Sequence, residues 1–291
     1  MPALAADLRR ISEEAVARYA RDALGADWWR PPLLSTAAAD HRFDVLPRIA
    51  SSDHLLPRDL LVSAKSVIVF FIPFKKKLLD ENTPGKFPCR NWGVAYQATN
   101  RLIEHVSGTL QAFLAEQGHR SALTPATHNF DPVGLTARWS HKHLAHLCGL
   151  GRFGINRQLI TPAGCGGRLG SLVTEADLGD SPLMGEEELC LHKQGETCLR
   201  CVALCPVAAL EEHEFDRQRC YTRLKVNLHH TEALAGLEET TEVCGKCVVD
   251  LPCTTGSKGS WRHGPPPPPA STPSGPSRPY DQKSPRHGLT L

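Results

Sequence analysis

The residues of this chain best suited to chemistry are its cysteines. Eight of the eleven fall in one segment: Cys190, Cys198, Cys201, Cys205, Cys220, Cys244, Cys247 and Cys253. The run Cys198-Leu-Arg-Cys201-Val-Ala-Leu-Cys205-Pro206 sets two thiols three residues apart, a third four further on, and a proline directly after it. That is the ending of an iron–sulfur ligand run. A C-x2-C step presents two thiolates from one tight turn, while the cysteine before the proline points away and ligates a second cluster. A second motif is therefore required, and Cys244-Gly-Lys-Cys247 supplies it, with Cys220 upstream and Cys253 downstream. Eight thiolates are what two 4Fe-4S clusters need at four each. Interlacing the motifs assigns Cys190, Cys198, Cys201 and Cys253 to one cluster, and Cys205, Cys220, Cys244 and Cys247 to the other.

Two other chemistries compete for the same thiols. Paired C-x2-C steps also build tetrahedral zinc sites, but zinc has no use for the third cysteine followed by Pro206. Disulfides belong to oxidising compartments. The opening Met-Pro-Ala-Leu-Ala-Ala-Asp-Leu-Arg-Arg has no apolar core of the kind a secretory signal carries. The longest apolar run, residues 66–74, is far short of a membrane span. A reducing, cytoplasmic location with no membrane partner is the expectation. With 33 basic and 31 acidic side chains and a net charge of +2, no global field attracts nucleic acid, so any such contact must be a local patch.

Elements that could position the cysteines are legible upstream. Apolar residues at helical period predict a helix over residues 4–24, stopped at Gly25, and another over 96–117, stopped at Gly118. Between them, residues 31–57 read as irregular and proline-punctuated. Ser66-Val-Ile-Val-Phe-Phe-Ile-Pro73 predicts a strand buried on both faces. Lys75, Lys76 and Lys77 follow it, as a solvated rim or as contacts for substrate phosphates. Short strands are expected over 119–124 and 168–174, with a helix over 138–147. That helix puts His143 and His146 on one face, as a packing feature or as a metal or proton-relay pair.

Gly149-Leu-Gly151-Arg-Phe-Gly154 spells G-x-G-x-x-G, yet a helix precedes it and a β-prone segment follows, the reverse of a dinucleotide fingerprint. Its glycines instead allow tight turns or close approach to a flat ligand, making Gly149, Gly151, Gly154 and Asn156 candidates for cofactor contact. Cys89, Cys148 and Cys165 stand outside the ligand set and default to core packing, with Cys165, set between glycines, expected to be the accessible one. After Cys253 come five consecutive prolines and a Ser/Pro/Gly-rich end, a composition that predicts disorder over 257–291.

Trp139-Ser-His-Lys-His143, Gly149-Leu-Gly151, Gly154-Ile-Asn156, Leu159-Ile-Thr-Pro162 and Arg168-Leu-Gly-Ser171, followed by the eight-cysteine segment, together resemble the epoxyqueuosine reductase family and its shorter iron–sulfur relatives. The resemblance spans roughly residues 130–255 and holds only in outline before that. It implies an α+β fold: an N-terminal mixed domain (1–180) holding a corrinoid such as cobalamin, then a ferredoxin-like domain (181–256) with two 4Fe-4S clusters fed by an external electron donor. The implied reaction is reductive removal of the epoxide oxygen from epoxyqueuosine in tRNA. The family's proton-donating aspartate would fall here at Leu135, and Asp131, before Pro132, replaces it only if the loop shifts. Ile155 stands where the family has a lysine, and Cys253 is followed by Thr254 rather than proline. These departures fit the shorter relatives better and leave open a small-molecule substrate in place of tRNA. The rival expectation is a non-catalytic ferredoxin-like protein that serves a partner oxidoreductase.

Overall fold

β-Branched and aromatic side chains favour pleated backbone, and all eight residues of Ser66–Pro73 are buried, so this strand needs cover on both faces. The computed structural model describes residues 2–22 and 27–256 and supplies that cover. The elements run α1 (Pro2–Asp22), β1 (Leu33–Ala38), a 3-10 turn, α2 (Leu46–Ile49), α3 (Pro57–Leu60), β2 (Ser66–Pro73), α4 (Lys76–Glu81) and α5 (Arg90–Glu116). Then follow β3 (Ser121–Leu123), α6 (His141–Leu147), β4 (Arg152–Phe153), β5 (Leu159–Ile160), β6 (Gly167–Thr174), α7 (Arg200–Ala203) and α8 (Arg217–His230). Four strands form an antiparallel sheet in the order β1-β2-β6-β3, and β4 pairs with β5 apart from it.

Alternation along β2 sends successive side chains to opposite faces. Ile68, Phe70 and Ile72 enter a core with Leu8 of α1 and Leu102, Val106 and Leu110 of α5. Val67, Val69 and Phe71 pack on the other side with Phe43, Trp139, Leu144 of α6 and Leu150. The sheet is thus sandwiched between the long helices and a layer built around α6. Gly170 of β6 is bare because the Phe70 ring lies against it, 2.3 Å from where a Cβ would sit.

The structure departs from the sequence expectations at several points. β1 lies inside the stretch read as irregular, because Leu33-Leu34-Ser35-Thr36-Ala37-Ala38 has little strand character of its own and is recruited by pairing with β2. Its buried hydroxyls find partners across the fold: Ser35 Oγ donates to Cys148 O, with Ser181 O also in reach at 3.0 Å, and Thr36 Oγ1 donates to Gly179 O at 2.9 Å. α5 starts at Arg90, six residues before the expected Tyr96, since Gly93 is no break but a contact point for Leu234 and Leu237. The lysines after β2 form a rim, with Lys75 paired to Asp27 and Lys76 to Asp80 at 2.7 Å. The expected helix stop at Gly25 and the proline-rich end lie outside the described residues.

Residues 181–256 form α7, α8, a 3-10 turn and a single bridge between Leu210 and Phe215. Their apolar side chains share cores with the first part of the chain: Leu234, Val243 and Val249 join the α1–α5 core. Ile155, Ile160 and Cys165 join Cys190, Cys201, Leu210 and Leu251 in a third. No helix among the described residues is long and apolar enough to cross a membrane.

Candidate metal centre

Short helices and turns decide where the eight cysteines point. Cys201 lies on α7, and Cys205 just after it accepts the Ala209 N–H at 3.2 Å as the chain turns through Pro206. Cys220 sits in the first turn of α8, whose N-cap, Asp216, accepts the Arg219 N–H at 2.8 Å. Asn227, fully buried on the same helix, donates to Val243 O at 2.8 Å and so sets α8 against the Cys244 turn. Asn82, also fully buried, donates to Cys244 O at 3.0 Å and accepts the Cys89 N–H at 3.0 Å.

The result is two separate cavities, the first lined by four of the eight cysteines and the second by the other four together with Cys165. Cys190, Cys198, Cys201 and Cys253 line one, together with Ile155, Ile160 and Leu251. Cys205, Cys220, Cys244 and Cys247 line the other, beside Trp92, Arg223 and Lys246. Among the described residues no group of three His, Cys, Asp or Glu side chains is set to hold a metal ion.

Electrostatics group the thiols in the same way. Burial pushes Cys201 up to about 12, helped by Cys253, Cys190 and Cys198. Burial likewise raises Cys220 to about 11, helped by Cys244 and Cys205. Cys201 and Cys220 thus resist ionisation as free thiols, whereas coordination to a metal deprotonates a thiol outright. Two lysines stand by the second set. Lys246 is 3% exposed and donates to Asn82 O and Pro84 O, the latter at 2.9 Å, with burial lowering its pKa. Lys142 of α6 donates to Arg157 O at 3.2 Å, is lowered by burial and then by Arg217, and feels Cys247 and Cys220. Near the first set Arg200 is instead paired with Asp250.

The remaining candidates fall as follows. Gly149 has φ +67 and its bare face meets Pro182, 2.6 Å from a would-be Cβ. Gly151 meets Ile160 O in the same way at 2.4 Å, and Gly154 meets Asn156 Oδ1 at 2.7 Å, so all three are filled by the chain itself. Asn156 is buried between the cavities and lines both. Asp131 is exposed, and its carboxylate accepts the Gly134 N–H within its own turn. Its loop leans on α8, with Phe130 edge-on to Tyr221 at 5.8 Å and Gln218 donating to Val133 O at 2.7 Å. Cys165, expected to be accessible, is 3% exposed because its flanking glycines bring it against the 253–254 backbone.

His143 and His146 both lean on the Phe153 ring, at 5.0 and 5.4 Å, and bond to Ser140 Oγ and Gly151 O. His54 donates from Nδ1 to Leu55 O and accepts the Ser140 N–H at Nε2, an arrangement only the neutral ring can make. Burial lowers His141 and His143 to about 4 and lowers His54 as well. The unfolded chain therefore binds protons that the fold refuses, and stability falls as pH drops from about 6.5 toward about 4. Asp40 and Glu175, held at about 2 by Arg42 and Arg120, titrate below that window. Thermal unfolding of the anaerobic protein across this range should show a steady loss; a flat midpoint would contradict it.

No protein family's sequence profile matches this chain, and no curated protein does. Solved structures match the fold. An epoxyqueuosine reductase shares 18% identity at a TM-score of 0.51, over 85% of this chain and 66% of that one. The Bacillus subtilis epoxyqueuosine reductase, with its catalytic loop swung out of the active site, shares 17% at 0.50, over 86% and 66%. A catabolic reductive dehalogenase in complex with 3-bromo-4-hydroxybenzoic acid shares 13% at 0.51, over 74% and 28%. The fold is epoxyqueuosine reductase-like, and the chain spans just under two thirds of the length of those reductases.

Proposed function

We propose that this chain is an iron–sulfur reductase of the epoxyqueuosine reductase kind, carrying two 4Fe-4S clusters in its two cysteine-lined cavities. The observation that carries this reading is the division of the eight cysteines between two cavities, four to each, in the crossed grouping expected from the ligand spacing, with Cys165 as a fifth thiol at the second. Bound there, the clusters would supply one-electron transfer.

The chain's own residues define how that chemistry is housed. Ile155, Ile160, Leu191 and Leu251 wall the first cavity with apolar surface. Lys142 and Lys246 place positive charge beside the second set, where an anionic cluster gains most from it. The second cavity is also the roomier, about 270 Å³, with Trp92, Gln158, Phe215, Arg223 and Glu242 in its wall. With clusters bound, the Cys205 set would be the side more open to an electron acceptor.

The corrinoid implied by the resemblance finds no place at the glycine run that would contact it. The faces of Gly149, Gly151 and Gly154 are closed by the chain itself. Asp131, whose carboxylate accepts the Gly134 N–H within its own turn, would serve as proton donor only if that loop shifted. The misfit favours a second reading, an electron-transfer protein that passes electrons from an external donor to a partner oxidoreductase. Anaerobic preparation followed by iron, zinc and cobalamin analysis tests both. About eight irons per chain with no zinc supports the clusters. Stoichiometric cobalamin uptake, or turnover of epoxyqueuosine in tRNA, would establish the reductase over the relay. A colourless, iron-free protein would overturn both.

A further inference from the structure

Between the two cavities lies a chain of polar contacts that neither ligand set needs for its own closure. Asn156, 4% exposed, donates from Nδ2 to Cys247 O at 3.0 Å and to Cys165 Sγ at 3.5 Å. Its Oδ1 accepts the Gln158 N–H at 3.2 Å, which fixes which end of the amide faces the sulfur. Cys165 Sγ in turn donates to Cys253 Sγ at 3.9 Å. Backbone pairing holds the two sulfurs together: Cys165 N–H donates to Cys253 O at 2.9 Å and Gly166 N–H to Thr254 O at 3.0 Å. Gly164, at φ +94, makes this approach feasible, since a Cβ there would lie 2.2 Å from Thr254 O.

Resting on the two-cluster reading above, we infer that Cys165 is a positioning residue that donates a hydrogen bond to the Cys253 sulfur and raises the reduction potential of the first cluster, with Asn156 tying it to the second ligand set. The physical ground is charge. A ligand thiolate gains electron density when its cluster is reduced, so a donor aimed at that sulfur stabilises the reduced state more than the oxidised one. Cys165 is not a ninth ligand of the first cluster, because it lies outside the cavity ringed by Cys190, Cys198, Cys201 and Cys253 and borders the second instead. The bridge also joins the Cys253 sulfur to the Cys247 carbonyl through Cys165 and Asn156.

The test uses anaerobic full-length protein, with Cys165→Ala and Cys165→Ser made alone and in a Cys205→Ser background that keeps only the first cluster. Iron per chain and paramagnetic resonance during redox titration are read for each. The expected result is unchanged iron, a first-cluster potential shifted to more negative values in Cys165→Ala, and a value close to the parent in Cys165→Ser, whose hydroxyl still donates. Coincident potentials in all three, or iron lost from Cys165→Ala with Cys165→Ser failing to rescue it, would overturn the inference. Wild-type protein without iron would overturn the two-cluster reading itself and this inference with it.

Discussion

Replacing Cys205 by serine halves the iron of the anaerobically prepared protein, from about eight atoms per chain to about four, and the half that remains belongs to Cys190, Cys198, Cys201 and Cys253. The expectation rests on the turn at Pro206. Cys198 and Cys201 face the first cavity, and the chain leaving α7 carries Cys205 over to Cys220, Cys244 and Cys247. A serine hydroxyl stays protonated near neutrality and is a poor substitute for a thiolate. Metal binding is also folding free energy, so the variant should melt earlier, with the loss centred on α8 and the 243–248 turn. Resonance spectra decide the outcome. Selective loss of the Cys198 and Cys201 signal would show that the ligands are not crossed.

Gly245→Ala should remove the same cluster without touching a ligand. Gly245 holds φ +79, a conformation that a Cβ disfavours, and that Cβ would lie 2.4 Å from the Trp92 ring. Trp92 cannot yield cheaply, being 8% exposed and packed edge-on to Phe74 at 5.4 Å. Backbone strain and overpacking together should cost about 2–4 kcal/mol. The turn must shift to relieve this, pulling Cys244 from Asn82 and Lys246 from its two carbonyl partners. Denaturant unfolding gives the stability change and iron analysis the cluster loss. Wild-type stability together with full iron would show that the turn has more freedom than its contacts allow.

What was legible in the sequence was local. Cysteine spacing specifies how many thiols one turn can present, so the sequence by itself suggests a crossed grouping of the eight residues. The β2 octet is similarly self-contained, since its side chains are apolar on both faces whatever covers them. Tertiary structure decided whatever depends on residues far apart in the chain. β1 becomes a strand through its partner, not its composition. Lys142 reaches the second cysteine set because α6 packs on the sheet, and Lys246, already inside the Cys244–Cys247 motif, has its ammonium turned to the 82–84 carbonyls. Nothing about Cys165 in sequence reveals that it meets Cys253, and its glycine neighbours suggested exposure when they serve close packing. The G-x-G-x-x-G glycines, candidates for a cofactor, turn out to admit Pro182 and Ile160. A turn's geometry is written in neighbouring residues, whereas the space beside it is set by shared cores that form only when the whole chain has folded.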